Sequence, residues 1–272
     1  METFSLESNR RLMRLSYHNI YVFVCLGSKS FGAKRGPASK ERNQKMVKYL
    51  FVLAHCESKS CCTSLNIAAV HACLAAGHEV KVTDLYAMKF DAATSRANYT
   101  TVKNPDYLKP QLEELNATEN NGFSPLIEAE IQKLEWCDIL VFQFPLHWFH
   151  LPAIMKGWCD RVLAMGRIYG GKFGYYTNTP ASIGKKKAIL SFTTGGPADS
   201  YQPGAFNGDI MGILRPIHRG IFEFCGFKVL RPNIVYAAAH YTDVERQKLI
   251  EQWADRAAKL SEEEPIEVGV YA

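Results

Sequence analysis

Two short apolar runs constrain the fold of this chain more than any other feature of its sequence. Residues 49–54 (YLFVLA) and residues 139–144 (ILVFQF) are apolar at all but one position. A strand is apolar throughout when both of its faces are buried, as happens in a parallel sheet that helices cover on each side. The chain is therefore predicted to be an α/β protein built on such a sheet.

Helical and extended patterns alternate along the rest of the chain. The sequence predicts strands at residues 49–54, 80–85, 138–144, 188–192 and 228–237, and helices at residues 65–76, 127–136, 152–164, 210–224 and 244–260. Residues 91–127 have no clear period and are interpreted as an irregular excursion over the surface. Five strands separated by helices predict one doubly wound domain over residues 46–272, with ligands bound beyond the carboxyl ends of the strands.

The first 45 residues differ from the rest of the chain in charge. They carry nine basic and three acidic side chains, a net charge of +6, whereas the remaining residues have a net charge of −1. The near-neutral remainder offers no surface that would follow a phosphate backbone, so nucleic acid is not an expected partner. Residues 1–45 are predicted to be a disordered basic extension or a gene-model extension ahead of Met46, with an organelle-targeting peptide as the alternative.

The eight cysteines are irregularly placed, and several lie inside apolar runs. This pattern is typical of buried thiols in a reducing compartment and not of a disulfide framework, so a cytoplasmic location is expected. No apolar stretch approaches the roughly 18 to 20 residues that a membrane span needs, and none is predicted.

The loop after the first strand, residues 55–64, supplies small hydroxyl residues at the start of a helix. Backbone N–H groups at a helix N-terminus bind phosphate, and Ser60 and Ser64 would add hydroxyl donors. The loop lacks the G-x-G-x-x-G pattern of a dinucleotide-binding Rossmann site. Taken alone, it fits an ordinary serine-rich helix cap equally well.

Two further loops follow predicted strands. Residues 145–152 place His147, Trp148 and Phe149 between prolines, and such rings could either close the core or stack on a flat heteroaromatic ligand. Residues 193–196 (TTGG) contain two glycines, which make either a tight turn or a flat backbone against a ring. The three loops together indicate a flavin.

Six segments carry a family resemblance. They are residues 53–55 (LAH), 84–88 (DLYAM), 142–148 (FQFPLHW), 152–158 (PAIMKGW), 193–196 (TTGG) and 224–227 (FCGF). In this order and spacing, residues 48–265 resemble the NAD(P)H:quinone oxidoreductases, the DT-diaphorase-like family, which have a flavodoxin-like fold. The resemblance implies a homodimer with one FAD per site, bound across the subunit interface, and ping-pong hydride transfer from a reduced nicotinamide to a quinone.

The resemblance also assigns roles to particular residues. Those expected to bind FAD are His55, Ser60, Ser64, Leu146, His147, Trp148, Phe149, Thr193, Thr194, Gly195, Gly196, Tyr201 and Arg246. Those expected to face the substrate are Trp148, Phe149, Tyr169, Asn207 and Phe224. Tyr201 and Asn207 are the expected catalytic residues, because the Tyr201 hydroxyl can stabilise the charge that develops on the flavin edge and the Asn207 amide can orient the substrate.

Four departures from the family refine these expectations. Cys61 and Cys62 stand where the family usually has Phe-Asn, which predicts weaker FAD binding. Asn207 and the short chain beyond Pro265 resemble the branch that prefers dihydronicotinamide riboside over NAD(P)H. That branch's structural zinc is not expected here, because its ligand positions are occupied by Arg219, Glu223 and Val268, and His218 is expected to be a surface or core histidine.

Two other functions remain open from the sequence. A flavoprotein-derived binding or redox-sensing module would follow if Cys61 and Cys62 weaken FAD binding enough. An FMN-dependent reductase of nitro or azo compounds is the second alternative.

Overall fold

The structure, a computed structural model, describes residues 45–271. The predictions for the basic extension, residues 1–45, fall outside this range except at Lys45. No helix among the described residues is both long enough and apolar enough to cross a bilayer.

A parallel sheet forms the centre of the described part of the chain. Its strands are β1 (Lys48–Leu53), β2 (Glu79–Asp84), β3 (Ile139–Pro145), β4 (Lys187–Thr193), β5 (Lys228–Val229) and β6 (Asn233–Val235). The order is β2-β1-β3-β4-β5, and β6 pairs with β4 further along the same edge. The predicted five-stranded doubly wound sheet is confirmed. Its last strand is split in two beside Pro232, which has no N–H to donate to a neighbouring strand.

The described residues form seven α-helices. They are α1 (Cys61–Ala75), α2 (Pro110–Asn120), α3 (Pro125–Trp136), α4 (Ala153–Val162), α5 (Pro180–Ile183), α6 (Ile210–Ile217) and α7 (Asp243–Ala257). Short 3₁₀ segments lie at Arg96–Asn98, Ala198–Tyr201, Ala238–His240 and Leu260–Glu262. Each of the five predicted helices corresponds to an observed one, within a few residues at the ends.

Helix α2 corrects the interpretation of residues 91–127 as irregular. Its buried face holds Glu113, Glu114 and Ala117, so no apolar period marks it in the sequence. The Glu113 carboxylate accepts hydrogen bonds from two backbone N–H groups, at 2.6 and 3.0 Å, and the Glu114 carboxylate accepts one from Met165 N at 2.7 Å. The two carboxylates are thereby satisfied inside the fold.

Side chains of alternate strand residues enter two separate cores, one on each face of the sheet. In β1, Leu50 and Val52 belong to the larger core, whereas Tyr49 and Phe51 belong to the smaller one. Helix α7 closes the smaller core with Trp253. Burial on both faces explains why the central strands are apolar throughout.

Helix α6 continues as a π-helical segment, His218–Glu223. Pro216 lies in its last turn and has no N–H for the usual helical bond. The backbone hydrogen bonds then span five residues in place of four, and Phe224 N donates to the Arg219 carbonyl at 3.1 Å. The predicted helix over residues 210–224 is therefore one uninterrupted helical segment, but it changes from α-helical to π-helical hydrogen bonding.

Candidate active site

The loops after β1, β3 and β4 lie together at one edge of the sheet. Backbone bonds join them, because Ala54 N donates to Gln143 O at 2.9 Å and Leu146 N donates to Thr193 O at 2.8 Å. A cleft of about 270 Å³ opens beside them, lined by His55, Ser60, Cys61, Cys62, Thr193, Ala238, Ala239 and Arg246. Four residues predicted to bind FAD therefore share one cleft.

The N-terminus of α1 gives this cleft a positive end. Ser60 caps the helix and accepts a hydrogen bond from Thr63 N at 3.1 Å, and the first turn contains no acidic residue. Unpaired N–H groups and the helix dipole at such an end attract anions. Ser64 lies one turn further on, and its hydroxyl donates to Ser60 O at 3.1 Å.

Arg246 brings a second positive group to the cleft. Its guanidinium donates to Asp243 at 3.0 Å and to the Tyr241 carbonyl at 2.8 Å, while its buried Nε has no hydrogen-bond partner among the described residues. Because Asp243 is 97% exposed, water screens this ion pair strongly. A guanidinium in the same cleft as a helix N-terminus fits a phosphate-containing ligand.

His55 stands at the entrance to the first loop. Its Nδ1 accepts a hydrogen bond from Glu57 N at 3.0 Å, which places the proton of the neutral ring on Nε2. Burial lowers the pKa of His55, so the ring is neutral at physiological pH. It can therefore donate a hydrogen bond to a ligand in the cleft without adding charge.

Cys61 and Cys62 differ in their surroundings. Cys61 is half-buried and lines the cleft, whereas Cys62 is fully buried and its sulfur accepts from Gln143 Nε2 at 3.5 Å. Burial raises the pKa of Cys62 to about 12, so it remains a thiol. The carboxamide oxygen of Gln143 has no partner among the described residues. An amide in place of Cys62 could donate to that oxygen, which the thiol does only weakly.

The loop after β3 is a tight turn with two aromatic residues at its tip. The backbones of His147 and His150 pair with each other, and Trp148 and Phe149 between them have φ values of 50° and 59°. Trp148 is 96% exposed and Phe149 is 46% exposed. Bulky residues rarely adopt this left-handed conformation, and such strain concentrates at functional sites. No sequence signal predicts this conformation at Trp148 and Phe149, because glycine or asparagine is usual at such positions.

The glycine loop after β4 packs against Tyr201 and Asn207. A Cβ atom on Gly196 would lie 3.2 Å from the Tyr201 ring and 3.5 Å from the Asn207 amide nitrogen, so glycine permits this approach. The Thr194 hydroxyl fixes the loop by donating to Gly196 O at 2.8 Å. Beside Gly195 the space is open. Tyr201 is buried, which differs from a half-exposed surface tyrosine.

Tyr236 is a neighbour of this group that the sequence did not suggest. It directly follows β6, and its ring centroid is 5.7 Å from that of Tyr201. Burial raises the pKa of Tyr236, and the neighbouring Tyr201 and Asp209 act in the same direction. Only the pairing of β6 with β4 brings it here, so no local motif could have identified it.

Tyr169 and Phe224 form a second group. Their ring centroids lie 5.3 Å apart in an edge-to-face arrangement. Among the described residues, no hydrogen bond or ring–ring contact joins this pair to Trp148, Phe149 or Asn207. Of the five residues predicted to face the substrate, a ring contact therefore joins only these two among the described residues.

Arg219 and Glu223, two of the three positions at which the resemblance would place zinc ligands, form an ion pair. The Arg219 guanidinium donates to the Glu223 carboxylate at 2.8 Å. The neighbouring His218 is buried, and neither ring nitrogen has a partner among the described residues. Burial lowers the pKa of His218 to about 4. Of the two interpretations of His218, the structure supports the core histidine.

Comparisons with known proteins agree with the fold. A family model described as a flavodoxin-like fold matches residues 47–260. NAD(P)H dehydrogenase (quinone) 1 of Cavia porcellus is 40% identical over 218 residues, covering 80% of this chain and 78% of that protein. Ribosyldihydronicotinamide dehydrogenase (quinone) of Rattus norvegicus is 38% identical over 220 residues, covering 80% and 94% of the two chains.

A solved structure gives the same result. The putative quinone reductase from Klebsiella pneumoniae superposes with a TM-score of 0.76 at 37% identity, over 81% of this chain and 87% of that one. The chain therefore belongs to the flavodoxin-like NAD(P)H:quinone oxidoreductase family.

Proposed function

We propose that this protein is a flavin-dependent quinone reductase that moves two electrons, as hydride, from a reduced nicotinamide to a quinone. The observation that carries this proposal is the meeting of a positive cleft, an aromatic turn and a glycine loop at one edge of a flavodoxin-like sheet. When bound, the flavin supplies the chemistry of accepting and then donating hydride. The product is the hydroquinone.

FAD is the proposed flavin. Ser60 at the N-terminus of α1 and the Nε of Arg246 are suited to a diphosphate, which FAD has and FMN lacks. Thr193, Thr194 and the two glycines after them would hold the flat ring system, with Leu146, His147, Trp148 and Phe149 beside it. Tyr201 would hold a proton at the edge of that ring, and Asn207 would orient the substrate.

A homodimer is the proposed assembly. Among the described residues of one chain, no hydrogen bond or ring contact joins Tyr169 and Phe224 to Trp148, Phe149 or Asn207, and two copies packed together would bring both groups to one slot. Trp148 and Phe206 are 96% and 98% exposed, which is unusual for large apolar rings and suits an interface. The proposed catalytic domain begins near Met46, and the proposed location is the cytoplasm.

Anaerobic absorbance measurements on the purified protein test this function. The yellow flavin band should bleach on addition of NADPH, NADH or dihydronicotinamide riboside and return when a quinone is added. Chromatography of the released flavin separates FAD from FMN. The donor that bleaches the band fastest shows which branch of the family the protein resembles in its donor preference. Asn207 predicts that this donor is dihydronicotinamide riboside.

Two results would redirect the assignment. Absence of a flavin band even with added FAD would favour a binding or redox-sensing module, in line with the unpartnered oxygen of Gln143 beside Cys62. FMN as the released flavin, with azo or nitro compounds as the better acceptors, would favour the second alternative.

A further inference from the structure

Two of the described cysteines are accessible to a reagent in solution. Cys56 is exposed and Cys61 is half-buried, whereas the other five described cysteines are buried. Cys61 lines the candidate cleft and Cys56 does not. Among the described residues, Cys61 is therefore the cysteine that combines access with a place in the candidate site.

The position of Cys61 sets how readily its thiol reacts. Cys61 is the first residue of α1, directly after the Ser60 cap. Burial raises the pKa of Cys61, and the charge of Arg246 opposes this shift without cancelling it. The thiol is therefore mainly protonated at neutral pH, and its reactions should be slow there and faster as the pH rises.

The charge around Cys61 determines which reagents reach it. Arg246 lines the same cleft, and the first turn of α1 contains no acidic residue, so this part of the cleft is positive. The buried Nε of Arg246 has no hydrogen-bond partner among the described residues. A positive cleft raises the local concentration of anions. A small disulfide that carries carboxylates should therefore reach Cys61 more readily than a cationic disulfide.

A second polar group beside the thiols lacks a partner. Gln143 is fully buried, and its amide donates to the Cys62 sulfur at 3.5 Å. Its carboxamide oxygen has no partner among the described residues, although Cys62 itself lines the cleft next to Cys61. A peptide N–H is a donor of the kind that this oxygen lacks. The groups near Cys61 thus match a ligand that has both carboxylates and peptide N–H groups.

The size of the cleft makes two ligands exclude each other. Its volume of about 270 Å³ is near the lower limit for a small-molecule pocket. Ser60, Thr193 and Arg246, which are proposed to bind FAD, line it together with Cys61. A group bonded to the Cys61 sulfur would therefore occupy space that the flavin needs.

We propose that Cys61 is a modification site, at which a small anionic disulfide of the glutathione class forms a reversible mixed disulfide that keeps FAD out of the cleft. The proposal rests on the flavin-dependent function proposed above and adds control over flavin loading.

The step is a thiol–disulfide exchange. The Cys61 thiolate attacks one sulfur of the reagent, the S–S bond of the reagent breaks, and a new S–S bond forms at Cys61. The other half of the reagent leaves as a thiolate and takes up the proton that Cys61 has lost. Cys61 is oxidised and the leaving thiol is reduced, and excess thiol reverses the step.

Peptide mass spectrometry of the full-length protein, with its flavin removed, measures modification at each cysteine. Glutathione disulfide should modify Cys61. The ratio of its rate to that of cystamine, a cationic disulfide, should be about tenfold higher at Cys61 than at Cys56, because the positive cleft acts on Cys61. FAD at about ten times its Kd should slow modification of Cys61 roughly tenfold and leave Cys56 unaffected.

Flavin fluorescence titration measures the consequence for FAD. The protein modified at Cys61 should bind FAD at least about tenfold more weakly, since the two groups compete for one cleft, and dithiothreitol should restore the affinity. Cys61→Ser should bind FAD equally well before and after treatment with the disulfide. Cys56→Ser is the matched control and should respond to the disulfide as the wild type does.

Three results would overturn the inference while leaving flavin binding in place. They are modification of Cys56 without modification of Cys61, equal rates at Cys61 with and without FAD, and equal FAD affinity before and after Cys61 is modified. A protein that forms the adduct at Cys61 but binds no flavin even after reduction by dithiothreitol would instead overturn the proposed function.

Discussion

At the scale of single residues, Tyr201 is the side chain on which the proposed chemistry depends most. It is buried against Gly196 and near Tyr236, so its position is fixed before any ligand arrives. Tyr201→Phe should slow flavin reduction by the donor about a hundredfold, the effect of removing one well-placed donor, with little loss of bound flavin. Anaerobic stopped-flow absorbance measures this rate.

Tyr236→Phe is the control, since it removes a hydroxyl from the neighbouring ring and should have a much smaller effect. Equal rates for the wild type and Tyr201→Phe would exclude Tyr201 from the mechanism.

Residue roles could be predicted from the sequence only where a local motif or a family position identifies them. Ser60, Thr193 and Gly196 follow predicted strands, and the structure brings them to the same edge. Tyr236 follows no such rule, because its neighbour Tyr201 is distant in the chain. For side chains of this kind, tertiary packing decides the position.

At the scale of elements, the turn from His147 to His150 combines strain with exposure. Trp148 has a φ of 50° and is 96% exposed, so the fold gains little from its ring within one chain. Trp148→Gly should raise the free energy of unfolding by about 1 kcal/mol, because glycine adopts this conformation without the side-chain penalty. The same change should weaken binding of FAD or quinone. Urea denaturation and flavin titration measure the two effects.

Lys185→Gly is the matched control for this trade-off. Lys185 is also exposed, with a φ of 54°. Its replacement should stabilise the protein similarly without changing flavin binding. Destabilisation by Trp148→Gly would show that the ring supports the fold.

The elements that the sequence predicted well are those with an apolar period. Helix α2 was missed because its buried face contains two glutamates, and the predicted strand at residues 228–237 was placed correctly but is split at Pro232. The positions of helices and strands can therefore be predicted from the pattern of buried apolar residues. A break within a strand depends on single backbone groups, such as the N–H that Pro232 lacks.

At the scale of the whole molecule, His218 makes stability depend on pH. Its pKa is about 4 in the folded protein, against 6.5 for an unperturbed histidine. The unfolded chain therefore takes up the proton first, and stability is lost as the pH falls from 6.5 toward 4. Between pH 7 and pH 5 this group should lower the free energy of unfolding by about 2 kcal/mol.

Urea denaturation of His218→Leu and the wild type at both pH values measures this contribution. The variant should lose about 2 kcal/mol less between pH 7 and pH 5. His71→Leu, at an exposed histidine of α1, should behave like the wild type. The same loss in all three proteins would assign the pH dependence to other groups.

The parallel sheet with helices on both faces could be predicted at this scale, because its central strands are apolar throughout. The ring contact between Tyr169 and Phe224 could not be predicted, because it depends on how distant segments pack after folding.

The two cores on opposite faces of the sheet also bear on how the protein tolerates sequence change. Leu50 and Phe51 are adjacent in the chain but lie in different cores, whereas Leu50 and Leu140 share one. Substitutions that share no neighbours act independently on stability, and those in contact do not. Alternate positions along each strand face different cores, so epistasis is expected between positions on the same face of the sheet. A second substitution therefore compensates the first only when both side chains face the same layer of helices.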